Sequence, residues 1–286
     1  MKDLIEKIEQ KLDEYLPISY PEEIFESMRY SVLAGGKRLR PIMCLEACKV
    51  FGGDTEKAMP TACAFEMLHT QSLIHDDLPC MDNDDYRRGK LTNHKKFSES
   101  TAVLAGDALI SYGTQLIIDK SDLPAEIIVK VLREHAIAAG AYGIIAGQVV
   151  DIAMEGKPYD AEILKYIHTH KTADLFKGVL KAGATIAGAN EEQIKAMDDF
   201  GQYLGFAFQI CDDVLDEIST FEEMGKTLGK DKNAGKLTYT ALFGLDESKC
   251  KVNSLLDDAC GILETHNIKS EIFNSIIEAI REKVNK

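Results

Sequence analysis

The chain contains no tryptophan and only seven prolines in 286 residues. It has no Asn-Gly or Asp-Gly pair and no sustained alternation of apolar and polar residues, which leaves β-hairpins and half-buried strands without support. Its most apolar run, 136–150, is rich in glycine and falls short of the about 20 residues that a membrane span needs. A buried helix with close neighbours is expected there, and no integral membrane segment. The seven cysteines form no Cys-x-x-Cys pair. Cys44 and Cys48 are one helical turn apart, but no His or Cys set accompanies them, so reduced thiols of a cytoplasmic core are expected. Positive charge is in short supply: 33 Lys and Arg stand against 47 Asp and Glu, a net charge of −14. That excludes nucleic acid as a partner, because a polyanion needs a basic face. It leaves room for a small anionic substrate, which local cations decide. The opening MKDLIEKIEQ is of mixed charge and amphipathic, so no signal peptide is expected.

What the chain does have is helical periodicity. Leu4, Ile8 and Leu12 recur every four residues, and Pro17 and Pro21 divide this helix from a second that stops at Gly35-Gly36. Pro41 heads a third helix, Gly52-Gly53 makes a turn, and a fourth helix is expected from near Pro60. Helical patterns continue over about 100–118, in one long helix from 125 to about 154, from Asp160 into His168, and over 191–216. Segment 219–236 is rich in Gly and Lys and lacks apolar periodicity; it reads as a loop that closes over bound phosphates. The remainder is helical again, with no chemistry visible in it. At 45% apolar residues a sizeable core follows. The expectation is an all-α fold, one domain over 1–286, a single large helical bundle around a central cavity.

Two aspartate-rich stretches stand out. HTQSLIHDDLPCMDNDDYRRGK (69–90) holds Asp76, Asp77, Asp82, Asp84 and Asp85, then Arg87, Arg88 and Lys90; FQICDDVLD (208–216) holds Asp212, Asp213 and Asp216. Carboxylates this close repel one another unless a cation holds them. Mg²⁺ takes oxygen ligands, typically one or two carboxylates plus substrate phosphates, and arginines grip phosphate oxygens with paired hydrogen bonds. On an unbroken helix Asp76 and Asp82 would lie roughly 240° apart. Pro79 between them should kink or end the helix and let Asp82 swing towards Asp76. Asp212 and Asp216 are about 40° apart and can face one cavity. Either stretch alone is compatible with a solvated acidic turn, and the Asp-Asp pairs at 198–199 and 257–258 carry no third aspartate at the needed spacing. Two such motifs, each after an apolar helical run, favour a Mg²⁺–diphosphate site. Lys37, Arg38 and Arg40 follow a glycine break, a possible phosphate cradle; alone they read as a solvated loop. His168 and His170 do not share a helical face, so they make no metal pair.

Taken together, GGKRLRP (35–41), the 69–90 stretch, LAGDAL (104–109), GQVVD (147–151), HKTADLF (170–176), FQICDDVLD (208–216) and GKTLGKDKNAGK (225–236) run nearly end to end. On these pieces the sequence resembles the all-trans prenyl diphosphate synthases of the farnesyl and geranylgeranyl type. The resemblance implies an enzyme, usually homodimeric, that condenses isopentenyl diphosphate with an allylic diphosphate using Mg²⁺, three ions per active site. It implies Asp76, Asp82 and Asp212 as metal ligands, with Asp77, Asp213 and Asp216 as supporting or alternate carboxylates. Lys37, Arg40, His69 and Arg88 would bind isopentenyl diphosphate. Arg87, Lys171, Thr172, Gln209, Lys226 and Lys236 would bind the allylic diphosphate, with Asp151 supporting that cationic end. Catalysis would rest on Asp76, Asp82, Asp212 and Lys171, and the released diphosphate would take the proton. In the family, the residues four and five before the first aspartate help set the cavity floor, and an aromatic there tends to stop growth at farnesyl. Here they are Ser72 and Gln71, which points to geranylgeranyl diphosphate. A terpene cyclase also pairs two carboxylate helices with Mg²⁺ but needs no second diphosphate site, and the 35–41 cluster with Arg88 argues against it. A non-catalytic partner subunit would be expected to lack one aspartate set or the lysines, and both are present.

Overall fold

The computed structural model describes residues 1–158, 160–218 and 238–285. Lys226 and Lys236, and the 219–236 segment expected to close over phosphates, therefore lie outside the described residues.

Helix α1 (Lys2–Tyr15) buries Ile8 and Leu12, and α2 (Glu22–Val32) starts directly after Pro21, whose missing N–H suits a helix entrance. Helix α3 (Leu39–Val50) opens at Arg38, a residue at φ 49°. Helix α4 (Thr55–Asp76) begins ahead of the expected Pro60. Asp54 supplies the start signal by accepting a hydrogen bond from the Glu56 N–H, and Pro60 sits inside α4, where its missing N–H forfeits only one bond near the free end. Helix α4 is buried on nearly every side, against α3, α6 (Glu99–Lys120) and α10 (Asp174–Ile186), as a helix apolar all round must be. Between α4 and α6 lie the two-residue strands β1 (Tyr86–Arg87) and β2 (Lys90–Leu91), antiparallel, and the short α5 (Asn93–Lys96). They are the only β structure among the described residues.

The expected long helix from 125 to about 154 is two helices, α7 (Ala125–Ala139) and α8 (Ile144–Ala153). Gly140 (φ −94°, ψ −162°) and Gly143 (φ −126°, ψ −127°) leave the helical basin, and glycine is the residue least held in it. Nor is 136–150 a buried helix: Tyr142 is 82% and Val149 61% exposed. Val129 of α7 is 65% exposed as well. By length and hydropathy alone, α6 and the 125–153 stretch would suffice to cross a membrane; the glycine break divides the second.

Helix α9 (Ala161–His168), capped by Asp160, passes through a π turn (Thr169–Ala173) into α10. The longest helix, α11 (Glu191–Ile218), is packed by α12 (Tyr239–Phe243), α13 (Leu245–Thr265) and α14 (Glu271–Val284). The end of α4, the start of α3, the π turn and the end of α11 surround a cavity of about 830 Å³.

Candidate active site

The acidic end is built by the way α4 stops. Asp76 is its last residue, and Pro79 follows within the turn. The Asp82 N–H donates to the Asp76 carbonyl at 2.9 Å, and Asn83 N–H donates to Leu78 at 3.1 Å. The chain thus folds back and sets Asp82 beside Asp76, as the proline predicts. Both line the cavity together with Asp212 of α11. Gln148 of α8 orients Asp76 by donating to its Oδ1 at 2.7 Å. Among the described residues no three His, Cys, Asp or Glu side chains close on a single point. Asp76, Asp82 and Asp212 instead offer hard oxygen donors from the end of α4, the turn after it and α11. That donor set fits Mg²⁺ completed by phosphate oxygens, the way this ion is usually held.

The neighbouring aspartates do other work. Asp77 is buried and gripped by Arg87, whose Nε and Nη2 donate to its Oδ1 at 2.8 and 2.6 Å. It turns away from the cavity, so it is no alternate metal ligand; burial pushes its carboxyl up, to about 6, against the pull of Arg87. Lys95 sits 2.9 Å from Asp85. Asp213 accepts from the Tyr239 N–H at 2.8 Å and from Gln209 Nε2 at 3.3 Å, and lies 3.4 Å from His168 Nε2. It braces α11 against α9 and α12 and also lines the cavity beside Asp212, the supporting place expected of it. Asp216, one turn beyond Asp212 on α11, is not among the described residues that line the cavity.

Lys171 is placed by the π turn. Its Nζ donates to Asp151 Oδ2 at 2.8 Å. Burial opposes its charge, yet Asp76, Asp151 and Asp82 overcome that and hold the ammonium above its ordinary value. Helix α8 approaches so closely that a Cβ on Gly147 would meet the Lys171 backbone N at 2.3 Å. The wider turn lets His168, Lys171 and Thr172 all line the cavity, a placement for which π turns are commonly used. Thr172 Oγ1 donates to Gln209 Oε1 at 2.6 Å. His170 faces elsewhere, 2.6 Å from Asp174 and 3.1 Å from the Tyr142 carbonyl, so the two histidines form no pair.

At the other end Lys37, Arg40, His69 and Arg88 line the same cavity. Arg88 donates from Nη1 to the Gly35 carbonyl, and its guanidinium fills the space a Cβ on Gly36 would need, at 2.8 Å. Arg38, by contrast, turns inward and is fully buried. Its Nε donates to Glu9 at 2.6 Å, Nη1 to Glu66 at 2.7 Å and Nη2 to the Val32 carbonyl at 2.7 Å. That fixes the 35–38 loop to α1, α2 and α4 and leaves Lys37 and Arg40 at the cavity wall. Arg40 stands over the Phe176 ring at 5.5 Å, and its buried Nε has no partner among the described residues. Burial, with Arg88 nearby, draws it down to about 10 against the pull of Glu66. Burial first, then Arg40 and Arg88, push His69 well below its ordinary value, so it is neutral.

Ser72 lines the cavity one turn before Asp76, but Gln71 does not. Residues one apart lie about 100° round a helix. Gln71 therefore faces α6, its Nε2 2.9 Å from His75 Nδ1, while His75 Nε2 sits 3.1 Å from the Val103 carbonyl. The sequence reading also missed Lys283. The C-terminal segment, where no chemistry was visible, sends this lysine to the cavity wall beside Lys37. Burial and the Lys37 charge lower it to about 8. Its only sequence signal is its place next to Val284, the last apolar residue of the α14 series. The inward role of Arg38, the Gln148 bond to Asp76 and the cavity position of His168 were likewise invisible before contacts were known.

Fold and site define an all-helical enzyme that handles diphosphates, with two aspartate-bearing helices and a separate cation cluster around one cavity. The family model described as polyprenyl synthetase matches residues 21–279. The chain therefore belongs to the polyprenyl synthetase family of prenyl-transferring enzymes. It is 48% identical over 256 residues to a dimethylallyltranstransferase of Fischerella ambigua, covering 89% of this chain and 74% of that one. It is 50% identical over 244 residues to a chloroplastic geranylgeranyl pyrophosphate synthase of Catharanthus roseus, covering 85% and 68%. Among solved structures, a geranyltransferase of Helicobacter pylori complexed with magnesium and isoprenyl diphosphate superposes with a TM-score of 0.87 at 33% identity, covering 98% of this chain and 94% of that one.

Proposed function

We propose that this chain condenses isopentenyl diphosphate with allylic diphosphates and ends at geranylgeranyl diphosphate, acting in the cytoplasm as a homodimer of single-domain subunits. The observation that carries the reading is one cavity with two unlike ends: aspartates with Lys171 at one, Lys37, Arg40, His69 and Arg88 at the other. A cyclase, with one diphosphate, has no use for the second.

Asp76, Asp82 and Asp212 would hold Mg²⁺, three ions per site, in keeping with the magnesium of the Helicobacter pylori neighbour. When bound, Mg²⁺ neutralises the allylic diphosphate and makes it a better leaving group. Arg87 and Lys171 add positive charge where negative charge builds as the C–O bond breaks. Lys226 and Lys236 are assigned the same task from the family resemblance. Thr172 and Gln209, already bonded to each other, complete that wall. Lys37, Arg40, Arg88 and neutral His69 fix the isopentenyl diphosphate. Ile144, Leu164, Ile167, Phe208 and Leu215 line the cavity and keep water from the allylic cation. The isopentenyl C=C attacks that cation, a C–C bond forms, and a proton leaves the adjacent carbon for the released diphosphate.

Product length rests on the small Ser72 at the wall, and supporting it are relatives that carry the geranylgeranyl name. Supporting the homodimer are exposed apolar side chains on α6, α7, α8 and the turn between the last two: Leu104, Val129, Val149 and Tyr142. Purified protein with Mg²⁺, isopentenyl diphosphate and an allylic diphosphate should release diphosphate and yield mostly twenty-carbon product. Absence of diphosphate release sinks the activity, and a clean stop at fifteen carbons sinks the chain length. Light scattering at micromolar concentration should give a dimer; a monomer removes that part.

A further inference from the structure

We propose that Phe176, in the first turn of α10, is a positioning residue for isopentenyl diphosphate: its ring sets the angle at which the Arg40 guanidinium meets the diphosphate. The inference rests on the reading above. Arg40 Cζ stands 5.5 Å from the centroid of the Phe176 ring. Arg40 lines the cavity, yet its Nε is sealed from it and meets no partner among the described residues. Other arginines of this region are fixed by oxygen: Arg38 by Glu9, Glu66 and the Val32 carbonyl, Arg88 by the Gly35 carbonyl. A guanidinium over a ring face is attracted by the negative face of the ring's quadrupole. That face carries no net charge. A carboxylate at this place would cancel the charge of Arg40 and compete with phosphate for its N–H groups. The ring holds the cation and leaves those groups to the ligand, whose oxygens a planar guanidinium grips with paired hydrogen bonds.

The ring is placed by the pairing of α3 with α10. Arg40 and Ala47 are seven apart on α3, as are Phe176 and Gly183 on α10. Seven residues make nearly two full turns, so each pair shares one helix face. A Cβ on Gly183 would meet the Cys44 carbonyl oxygen at 2.1 Å and the Ala47 Cβ at 3.0 Å. The two helices therefore touch closely along that face, and the register sets Arg40 over Phe176. Helix α11 comes as near at Gly205, where a Cβ would meet Ala173 Cα at 2.6 Å and Phe176 Cβ at 3.3 Å. Phe208, a cavity residue of α11, leans its ring on Phe176 with centroids 5.4 Å apart. Phe176 is fully buried between these neighbours, so Arg40 rests on a fixed surface. Thr172, one turn earlier, lines the cavity at the allylic end. The allylic KM therefore reports whether a change at Phe176 has disturbed the whole junction.

The test compares wild type with Phe176→Leu, Arg40→Gln, the double variant, and a protein carrying a trifluorinated phenylalanine at position 176. Fluorine drains the ring face of negative charge and nearly keeps its shape. Isopentenyl diphosphate is titrated calorimetrically without metal, and steady-state rates are measured against each diphosphate in turn. Phe176→Leu should raise the Kd and the KM for isopentenyl diphosphate roughly tenfold, and the fluorinated ring should raise them in the same direction by less. The KM for the allylic diphosphate should stay near wild type in both. In the Arg40→Gln background, adding Phe176→Leu should change the Kd no further, because the ring acts only through Arg40. Losses that multiply in the double variant overturn the proposal. So does an unchanged Kd in both ring variants, or an equal rise in both KM values. Should Phe176→Leu not fold, Phe176→Met is read by the same criteria. Wild type whose isopentenyl diphosphate affinity depends on Phe176 and Arg40 in this way, but which releases no diphosphate, would sink the synthase reading and leave this assignment standing.

Discussion

The two ends of the cavity solve the same problem, holding a diphosphate, with opposite charges. At the acidic end, Asp76, Asp82 and Asp212 line one wall, and Gln148 orients Asp76 by donating to it. Such a wall attracts a polyanion only through a divalent cation. At the basic end, cations line the wall, and the carboxylates there are already engaged: Glu66, itself at the cavity, and Glu9 both hold Arg38. That wall takes the diphosphate directly. The difference teaches that net charge says little about a site. A chain of net charge −14 builds an anion pocket by committing the nearby carboxylates to a buried arginine.

If the ends are separate, each should break without the other. The largest effect is expected at the acidic end. Asp76→Ala or Asp212→Ala should lower kcat by roughly 1,000-fold, because each removes charge that matters most as the leaving group departs. Calorimetric binding of isopentenyl diphosphate should persist in both, and far-UV circular dichroism should show the helices intact. Near-wild-type rates would mean that these carboxylates are solvated and hold nothing.

The basic end should break from behind. Arg38→Met strands Glu66, which is 2% exposed, and removing one partner of a buried ion pair typically costs about 3–5 kcal/mol. Urea unfolding should register that loss. The slackened 35–38 loop should raise the KM for isopentenyl diphosphate well before that for the allylic substrate. An equal rise in both would show that the ends are not independently braced.

Between the ends, Ser72 should control product length. Ser72→Phe places a ring in the cavity where the side chain is now small, and product chromatography should show a shift from twenty to fifteen carbons. Gln71→Tyr should do less to length, because Gln71 faces α6; its effect should be a lower melting temperature from the lost bond to His75. A clean shortening by Gln71→Tyr with unchanged stability would reverse these assignments.

Much of this was legible in the sequence. Pro79 between Asp76 and Asp82 pointed to a kink or an end of α4, because its missing N–H and its ring oppose another helical turn there. Helix ends at Pro17, Gly35-Gly36 and Gly52-Gly53 fell where their backbone chemistry put them. What escaped depends on contacts between distant segments. Arg38 reads as one more cation until α1 and α4 bring Glu9 and Glu66 to it. Gln71 and Ser72 are adjacent letters, and only the packing of α6 decides which faces the cavity. The 125–154 stretch looked continuous because apolar periodicity survives a two-glycine break that tertiary packing then exploits. Lys283 had no signal of its own, since its role is set by how α14 docks.

The smallest effect tests whether pH acts on the fold apart from either end. His135, on α7, is buried with its ring edge-on to Phe65 at 5.2 Å and its Nε2 without a partner among the described residues. Burial pulls it down to about 4, against a hydrogen bond with the Ala64 backbone. It is therefore neutral when folded, while in the unfolded chain it titrates near about 6.5. A depressed base contributes stability that is whole above its unfolded value and is lost as pH falls from there towards about 4, since the unfolded state binds the proton first. Between pH 7 and pH 5 this one group should remove roughly 1–2 kcal/mol of unfolding free energy. His135→Leu should flatten that part of the urea-denaturation profile and leave the KM for both diphosphates where it was, because the ring touches neither end of the cavity. A profile as steep as wild type would mean that the acid sensitivity belongs to other groups.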